Sequence, residues 1–117
     1  LIIGVGIDLC SVERLTDSLL RTPNLGKRLF TPSELGLKSE SLAGRFAAKE
    51  ALAKALGNPR LLSWQEVEIV SDDNHKPSLS VSGSSAEALK DHGVTGSHLS
   101  ISHDGGFATA VVVLEGS

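Results

Sequence analysis

Three residues in the first half of the chain have types and spacing that could do charge chemistry. Glu50 and Lys54 stand four apart in the run LAGRFAAKEALAKALG, Leu42 to Gly57. On a helix of 3.6 residues per turn, that spacing sets a carboxylate and an ammonium on one face within reach of each other. A third group, Asp8, comes at the end of the opening run LIIGVGIDL. Two carboxylates, one from a strand end and one from a helix, are what a hard divalent cation such as magnesium needs when phosphates supply its remaining ligands. Each residue also has a purely structural reading. Glu50 and Lys54 could be a solvated helix pair, and Asp8 could cap a helix that begins near Ser11.

The elements that must position these residues can be read from periodicity and punctuation. Between Ile2 and Leu9, Ile3, Val5, Ile7 and Leu9 fall on one face and Gly4, Gly6 and Asp8 on the other. That period of two predicts a strand whose glycine face lets a backbone or a ligand come close beside Asp8. Ser11 can cap a helix through about Arg21, with Val12, Leu15 and Leu19 inward, and Thr22-Pro23-Asn24 stops it. Thr31-Pro32-Ser33-Glu34 spells a capping box with proline at the first helical position. Gly57 closes the alanine-rich helix, with Pro59 beyond it.

In the second half, Val67 and Ile69 alternate with Glu66 and Glu68, and Leu79 and Val81 repeat the pattern. Two antiparallel strands joined through Asp72 to Pro77 are expected. Ser84 and Glu87 read as a second capping box, on a helix ended by Gly93. The closing His98–Ser102 and Phe107–Leu114 runs predict a hairpin turning on Asp104-Gly105.

Length and composition bound the class. With 117 residues, 40% of them apolar, one compact domain spanning 1–117 can bury its core without disulfides. Cys10 is the single cysteine, which excludes a disulfide framework or a multi-cysteine zinc site within one chain and points to a reducing, cytoplasmic setting. As a nucleophile beside His103, Cys10 is the weaker reading against inert packing, because nothing near it in sequence favours a thiolate. His75, His92 and His98 have no metal-ligand spacing. No apolar run is long enough for a membrane-spanning helix. Residues 1–60 carry nine Lys and Arg against six Asp and Glu, and residues 61–117 two against eight. The first half is therefore the face for anionic partners. Nucleic acid is not among them, because four aromatics and no dense basic stripe offer neither stacking platforms nor a phosphate track.

Taken in order, GVGIDLCSVERL, FTPSEL, LAGRFAAKEALAKALG and SISHDGGFATAVVV resemble the holo-acyl-carrier-protein synthase type of 4′-phosphopantetheinyl transferase from end to end. The resemblance implies an α+β fold in which a small, mainly antiparallel sheet is packed by the long alanine-rich helix. It implies a magnesium-dependent transfer of the phosphopantetheine arm of coenzyme A to a serine of an apo acyl carrier protein, in the service of fatty acid biosynthesis. It also implies a homotrimer with active sites at subunit interfaces.

Residue by residue, the family pattern makes Asp8 and Glu50 the magnesium ligands, Glu50 the acceptor of the serine proton, and Lys54 the partner of a phosphate. Asp8, Glu50 and Lys54 are thus the catalytic set, and Arg45, Lys54, Gly57, Lys76, Pro77 and His103 would surround coenzyme A. For His103 alone, a place in the turn before the closing strand is the competing reading. The family docks its acidic carrier protein on the first helix and the turn after it. That assigns the docking to Arg14 and Arg21, two helical turns apart, extended by Lys27 and Arg28. Two other classes stay open at this level: a metal-dependent hydrolase of a nucleotide pyrophosphate, and a non-catalytic carrier-binding module.

Overall fold

The computed structural model describes all 117 residues. They form β1 (Ile2–Ser11), α1 (Val12–Arg21), α2 (Leu25–Leu29), α3 (Pro32–Leu35), α4 (Ser39–Leu56), β2 (Val67–Ser71), β3 (Pro77–Val81), α5 (Gly83–Asp91), β4 (Val94–Asp104) and β5 (Phe107–Gly116). Short 3-10 turns at Pro59–Leu61 and Trp64–Glu66 join α4 to β2. β5 runs antiparallel between β1 and β4, and β2 pairs with β3 in a separate antiparallel hairpin. The expected α+β architecture is therefore present, with α4 laid across the three-stranded sheet.

The glycines of β1 explain that seat. A methyl group on Gly6 would lie 1.9 Å from the carbonyl oxygen of Ala51, and one on Gly4 would lie 2.0 Å from that of Ala55. The backbone that the glycine face admits is thus α4 itself. From the centre of the sheet, Ala108, Ala110, Val112 and Leu114 meet Ala47, Ala48, Ala51, Leu52 and Ala55 of the helix in one apolar core. Small side chains on both surfaces bring helix and sheet closer together than larger ones would. Gly57 ends α4 in the left-handed conformation, φ 89°, where its N–H reaches the carbonyl of Ala53. None of the helices is long and apolar enough to cross a membrane.

Because the glycine face of β1 is the inner one, alternation sends its large apolar residues outward. Val5, Ile7 and Leu9 are 59%, 62% and 65% exposed, and Phe107 of β5 is 47% exposed. Val111 and Val113 pair with Ile7 and Val5 on the same outer surface. The sheet therefore presents an apolar face away from its own core, and large exposed apolar faces mark contact surfaces.

Three local expectations need correction. α5 starts at Gly83 and not after Ser84, and the anion at its N-terminus is Glu66 from the 3-10 turn before β2, not Glu87. The β4–β5 hairpin turns on Gly105-Gly106, φ 58° and 83°, with Asp104 still paired to Phe107 in the ladder. Two successive positive φ angles are what a tight primed turn demands, and only the glycine pair meets them cheaply. α2 was not anticipated at all, since its Asn24 start makes no side-chain cap and the segment buries no residue. The capping box of α3 is formed as expected, with the Thr31 N–H donating to Glu34 Oε1 at 3.0 Å.

Candidate active site

The close seat of α4 on β1 brings Asp8 to the helix. Asp8 follows Gly6 by two residues and so shares its inward face, near the last two turns of α4. There Lys54 Nζ donates to Asp8 Oδ1 at 3.2 Å and to the Ile7 carbonyl at 2.9 Å. The ammonium spans from helix to strand and makes no ion pair with Glu50. Ser11 caps α1 through the Arg14 N–H, so the Asp8 carboxylate is engaged by Lys54 and not by the helix that follows it.

Glu50 belongs to the same electrostatic cluster. Burial raises its carboxyl above the ordinary value, the charge of Asp8 raises it further, and Lys54 pulls it back in part. Two carboxylates that feel each other in a half-buried place, with one ammonium bonded to only one of them, have an excess of negative charge that a small divalent cation would relieve. Both are hard oxygen donors, and together they fit a magnesium ion that completes its shell with phosphate oxygens and water. No cluster of three or more protein ligands exists anywhere in the chain. A cation held here would take the rest of its shell from water or from a bound substrate.

Glu50 and Lys54 open onto a cleft of about 310 Å³ lined also by Ala53, Gly57 and Pro59. Cys10, buried beneath Asp8 and Glu50, has its thiol pushed up to about 11, first by burial and then by those two charges. It remains protonated at neutral pH and acts as packing.

The other candidate residues lie elsewhere on the subunit. His103, on β4, has Nε2 3.0 Å from the Glu40 carbonyl and lies against Gly44. It lines a second recess of about 200 Å³ with Val12, Glu40 and the Gly105-Gly106 turn. Arg45, on α4, keeps its Nε buried with no hydrogen-bond partner. Lys76 sits in the β2–β3 turn, where Asp72 accepts from its backbone N–H, and Pro77 opens β3. Neither of them lines the Glu50–Lys54 cleft. Arg14, Arg21, Lys27 and Arg28 are all exposed on α1 and α2.

Two features escaped the sequence reading. One is a groove of about 390 Å³ between α1 and α2, formed chiefly by Leu9, Leu15, Leu25, Leu29 and Phe46 with Arg14 at its side. The other is a buried ion pair, Lys49 Nζ to Glu34 Oε1 at 2.6 Å, with both side chains almost wholly enclosed. The capping box accounted for Glu34 in part, but nothing in the sequence pointed to Lys49 as its partner.

The 4′-phosphopantetheinyl transferase superfamily profile matches residues 4–112. The chain is 54% identical over 121 residues to the holo-[acyl-carrier-protein] synthase of Salinispora arenicola, covering 98% of this chain and 99% of that one. Among solved structures, the Helicobacter pylori holo-[acyl-carrier-protein] synthase in complex with coenzyme A superposes with a TM-score of 0.82 at 35% identity, over 95% of this chain and 99% of that one. The Bacillus anthracis enzyme in complex with CoA (3′,5′-ADP) gives 0.81 at 38% identity, over 99% and 98%. With a profile match over nearly the whole length and relatives this similar end to end, the chain belongs to the 4′-phosphopantetheinyl transferase superfamily, in its holo-acyl-carrier-protein synthase group.

Proposed function

We propose that the chain transfers the 4′-phosphopantetheine arm of coenzyme A to a serine of an apo acyl carrier protein and releases adenosine 3′,5′-bisphosphate, with magnesium, as the step that readies carriers for fatty acid synthesis in the cytoplasm. The observation that carries the site assignment is the convergence of Asp8, from β1, with Glu50 and Lys54, from α4, in one charged cluster beside an open cleft. Asp8 and Glu50 would hold the magnesium ion, which supplies charge neutralisation on the diphosphate.

In the reaction the serine oxygen forms a bond to the β-phosphorus while the bond from that phosphorus to the bridging oxygen breaks, leaving with the nucleotide. Positioning and charge neutralisation dominate such a transfer. Glu50 takes the serine proton, directly or through a water. A carboxylate beside the metal can both orient the hydroxyl and accept its proton. Lys54 is 56% exposed, so it can leave Asp8 for a phosphate oxygen. Arg45, with its unpaired buried Nε, is suited to a coenzyme A phosphate, and Gly57 leaves the cleft floor free of side chain. His103, Lys76 and Pro77 are assigned to the nucleotide end.

The two recesses divide these residues, with Glu50, Lys54 and Gly57 in one and His103 in the other. A site assembled between copies would reunite them, and the outward apolar face of β1 and β5 is the surface on which copies would meet. We assign that face to the homotrimer contact. We assign Arg14, Arg21, Lys27 and Arg28 to an acidic carrier protein, whose binding then weakens with added salt.

Intact-protein mass spectrometry tests the reading. Apo carrier protein incubated with the enzyme, coenzyme A and magnesium should gain one phosphopantetheine arm, and Glu50→Gln should abolish the gain. Consumption of coenzyme A with no change in the carrier would instead establish a pyrophosphate hydrolase. Undiminished transfer by Glu50→Gln would take the base assignment away from Glu50.

A further inference from the structure

α2 carries Lys27 and Arg28, and of its five residues only Leu29 packs, partly buried, against the core. None of its side chains is fully buried, its start lacks a side-chain cap, and its last carbonyls have no helical partner. Those carbonyls are taken by side chains from elsewhere. Lys49 Nζ donates to the Leu29 carbonyl at 2.8 Å, and Gln65 Nε2 donates to those of Phe30, at 2.6 Å, and Lys27. Lys49 gives its other two protons to Glu34 Oε1 and to the Trp64 carbonyl at 3.1 Å, which exhausts an ammonium. Its charge also lies 5.4 Å from the centre of the Phe30 ring. Glu34 in turn accepts from the N–H groups of Thr31 and Ile69.

One buried ammonium on α4 thus ties down α2, the start of α3, the turn before β2 and, through Glu34, β2 itself. Lys49 directly precedes Glu50. The same helix that carries the candidate base therefore fixes α2 on its other side. Leu25 and Leu29 of α2 also form one wall of the groove whose opposite wall includes Leu9 and Ser11, just beyond Asp8.

We propose that Lys49, with Gln65, is a positioning residue for the carrier protein: it holds α2 so that Lys27, Arg28 and the groove wall keep a fixed place relative to the strand and helix of the reacting groups. The proposal builds on the reading of Lys27 and Arg28 as a docking surface. A clamp of this kind acts on capture of the carrier and leaves capture of coenzyme A and the transfer step untouched.

The test is steady-state transfer with coenzyme A and carrier protein varied in turn, for wild type, Gln65→Ala, Lys49→Met, the charge-neutral pair Glu34→Gln with Lys49→Met, and Arg28→Ala. Gln65 is exposed, so its variant folds even if the removal of Lys49 does not. Losing charge-assisted bonds that fix the segment should raise the carrier KM about tenfold in Lys49→Met, or in the paired variant, and about threefold in Gln65→Ala. KM for coenzyme A and kcat at saturating carrier should stay within about twofold. A purely structural role would move both KM values together, or only the melting temperature, and would overturn the proposal. Should Arg28→Ala leave the carrier KM unchanged, the docking reading falls and takes this proposal with it. If Arg28→Ala raises that KM while the Gln65 and Lys49 variants show no selectivity, the positioning claim alone fails.

Discussion

Gly6→Ala is the sharpest perturbation that the geometry offers, because it adds a methyl group to the tighter of the two glycine contacts that seat helix on strand. The added carbon would lie 1.9 Å from the Ala51 carbonyl oxygen and 2.7 Å from the Ala55 nitrogen, where side-chain carbons keep at least 3.0 Å. Both neighbours are helix backbone and cannot swing aside, so α4 must withdraw from β1 by about 1 Å. The Lys54 bonds to Asp8 and Ile7, 3.2 and 2.9 Å long, would stretch beyond hydrogen-bond range. Overpacking of this kind costs about 1–3 kcal/mol of stability, a fall in Tm of about 5 °C or more for a chain of this size. A 1 Å misplacement of reacting groups costs about a hundredfold in rate. The assay pairs thermal unfolding, at fixed protein concentration, with the mass-spectrometric time course of transfer. Gly36→Ala serves as the control, since nothing lies within 4 Å of that position, and it should be near neutral in both. A Gly6→Ala protein with wild-type melting and transfer within about twofold of wild type would refute the claim that glycine seats the helix.

Ile7→Asp, on the outward face and 62% exposed, should leave the subunit folded but shift sedimentation toward monomer, because an unpaired charge buried at a contact costs several kcal/mol. Unchanged association would remove that face from the assembly. Glu66→Gln should weaken α5, whose Ser84 and Ser85 donate to that carboxylate. Those bonds, led by the Ser85 hydroxyl, hold the folded carboxyl below its ordinary 4.5. Its contribution is complete above 4.5 and is lost as pH falls through the lower folded value. The gap in melting temperature between wild type and variant should therefore be widest near neutrality and close in acid, and a gap independent of pH would contradict this. Cys10, with its thiol near 11, should resist iodoacetamide at neutral pH until the protein is denatured, and Cys10→Ala should keep transfer. Rapid labelling of the native protein would show a thiolate.

Local signals were legible where local interactions decide the structure. The Thr31–Glu34 box, the Ser11 cap and the Gly57 stop each act within a few residues, and each element begins or ends where they indicate. The alternation of β1 showed two faces and told that one admits a close backbone. It could not show that the face bearing Ile and Val is the outer one, because the inner position is decided by a helix some forty residues on and by the small residues of both partners. α5 is capped by Glu66, eighteen residues before Ser84, a distance at which no helix-start rule operates. α2 left no trace in the sequence because its carbonyls are met by Lys49 and Gln65. Of the candidate site, the spacing of Glu50 and Lys54 placed both on one side of α4, but whether Lys54 pairs with Glu50 or Asp8 is set by the sheet.

The adjacency of Lys49 and Glu50 divides α4 between two tasks. Consecutive helical residues point about 100° apart, so α4 can bury Lys49 among three acceptors on one side and present Glu50 near Asp8 and the cleft on another. The sheet already sets that rotation, since Gly4 and Gly6 of β1 admit the Ala55 and Ala51 carbonyls where any side chain would clash. An ammonium that has to meet Leu29, Glu34 and Trp64 at once cannot be satisfied in a second register, and leaving it unpaired in the core would cost several kcal/mol. The buried pair therefore agrees with the azimuth that the glycine contacts of β1 impose on α4, and what it adds is the place of α2 and of the turn before β2, whether or not it adds net stability.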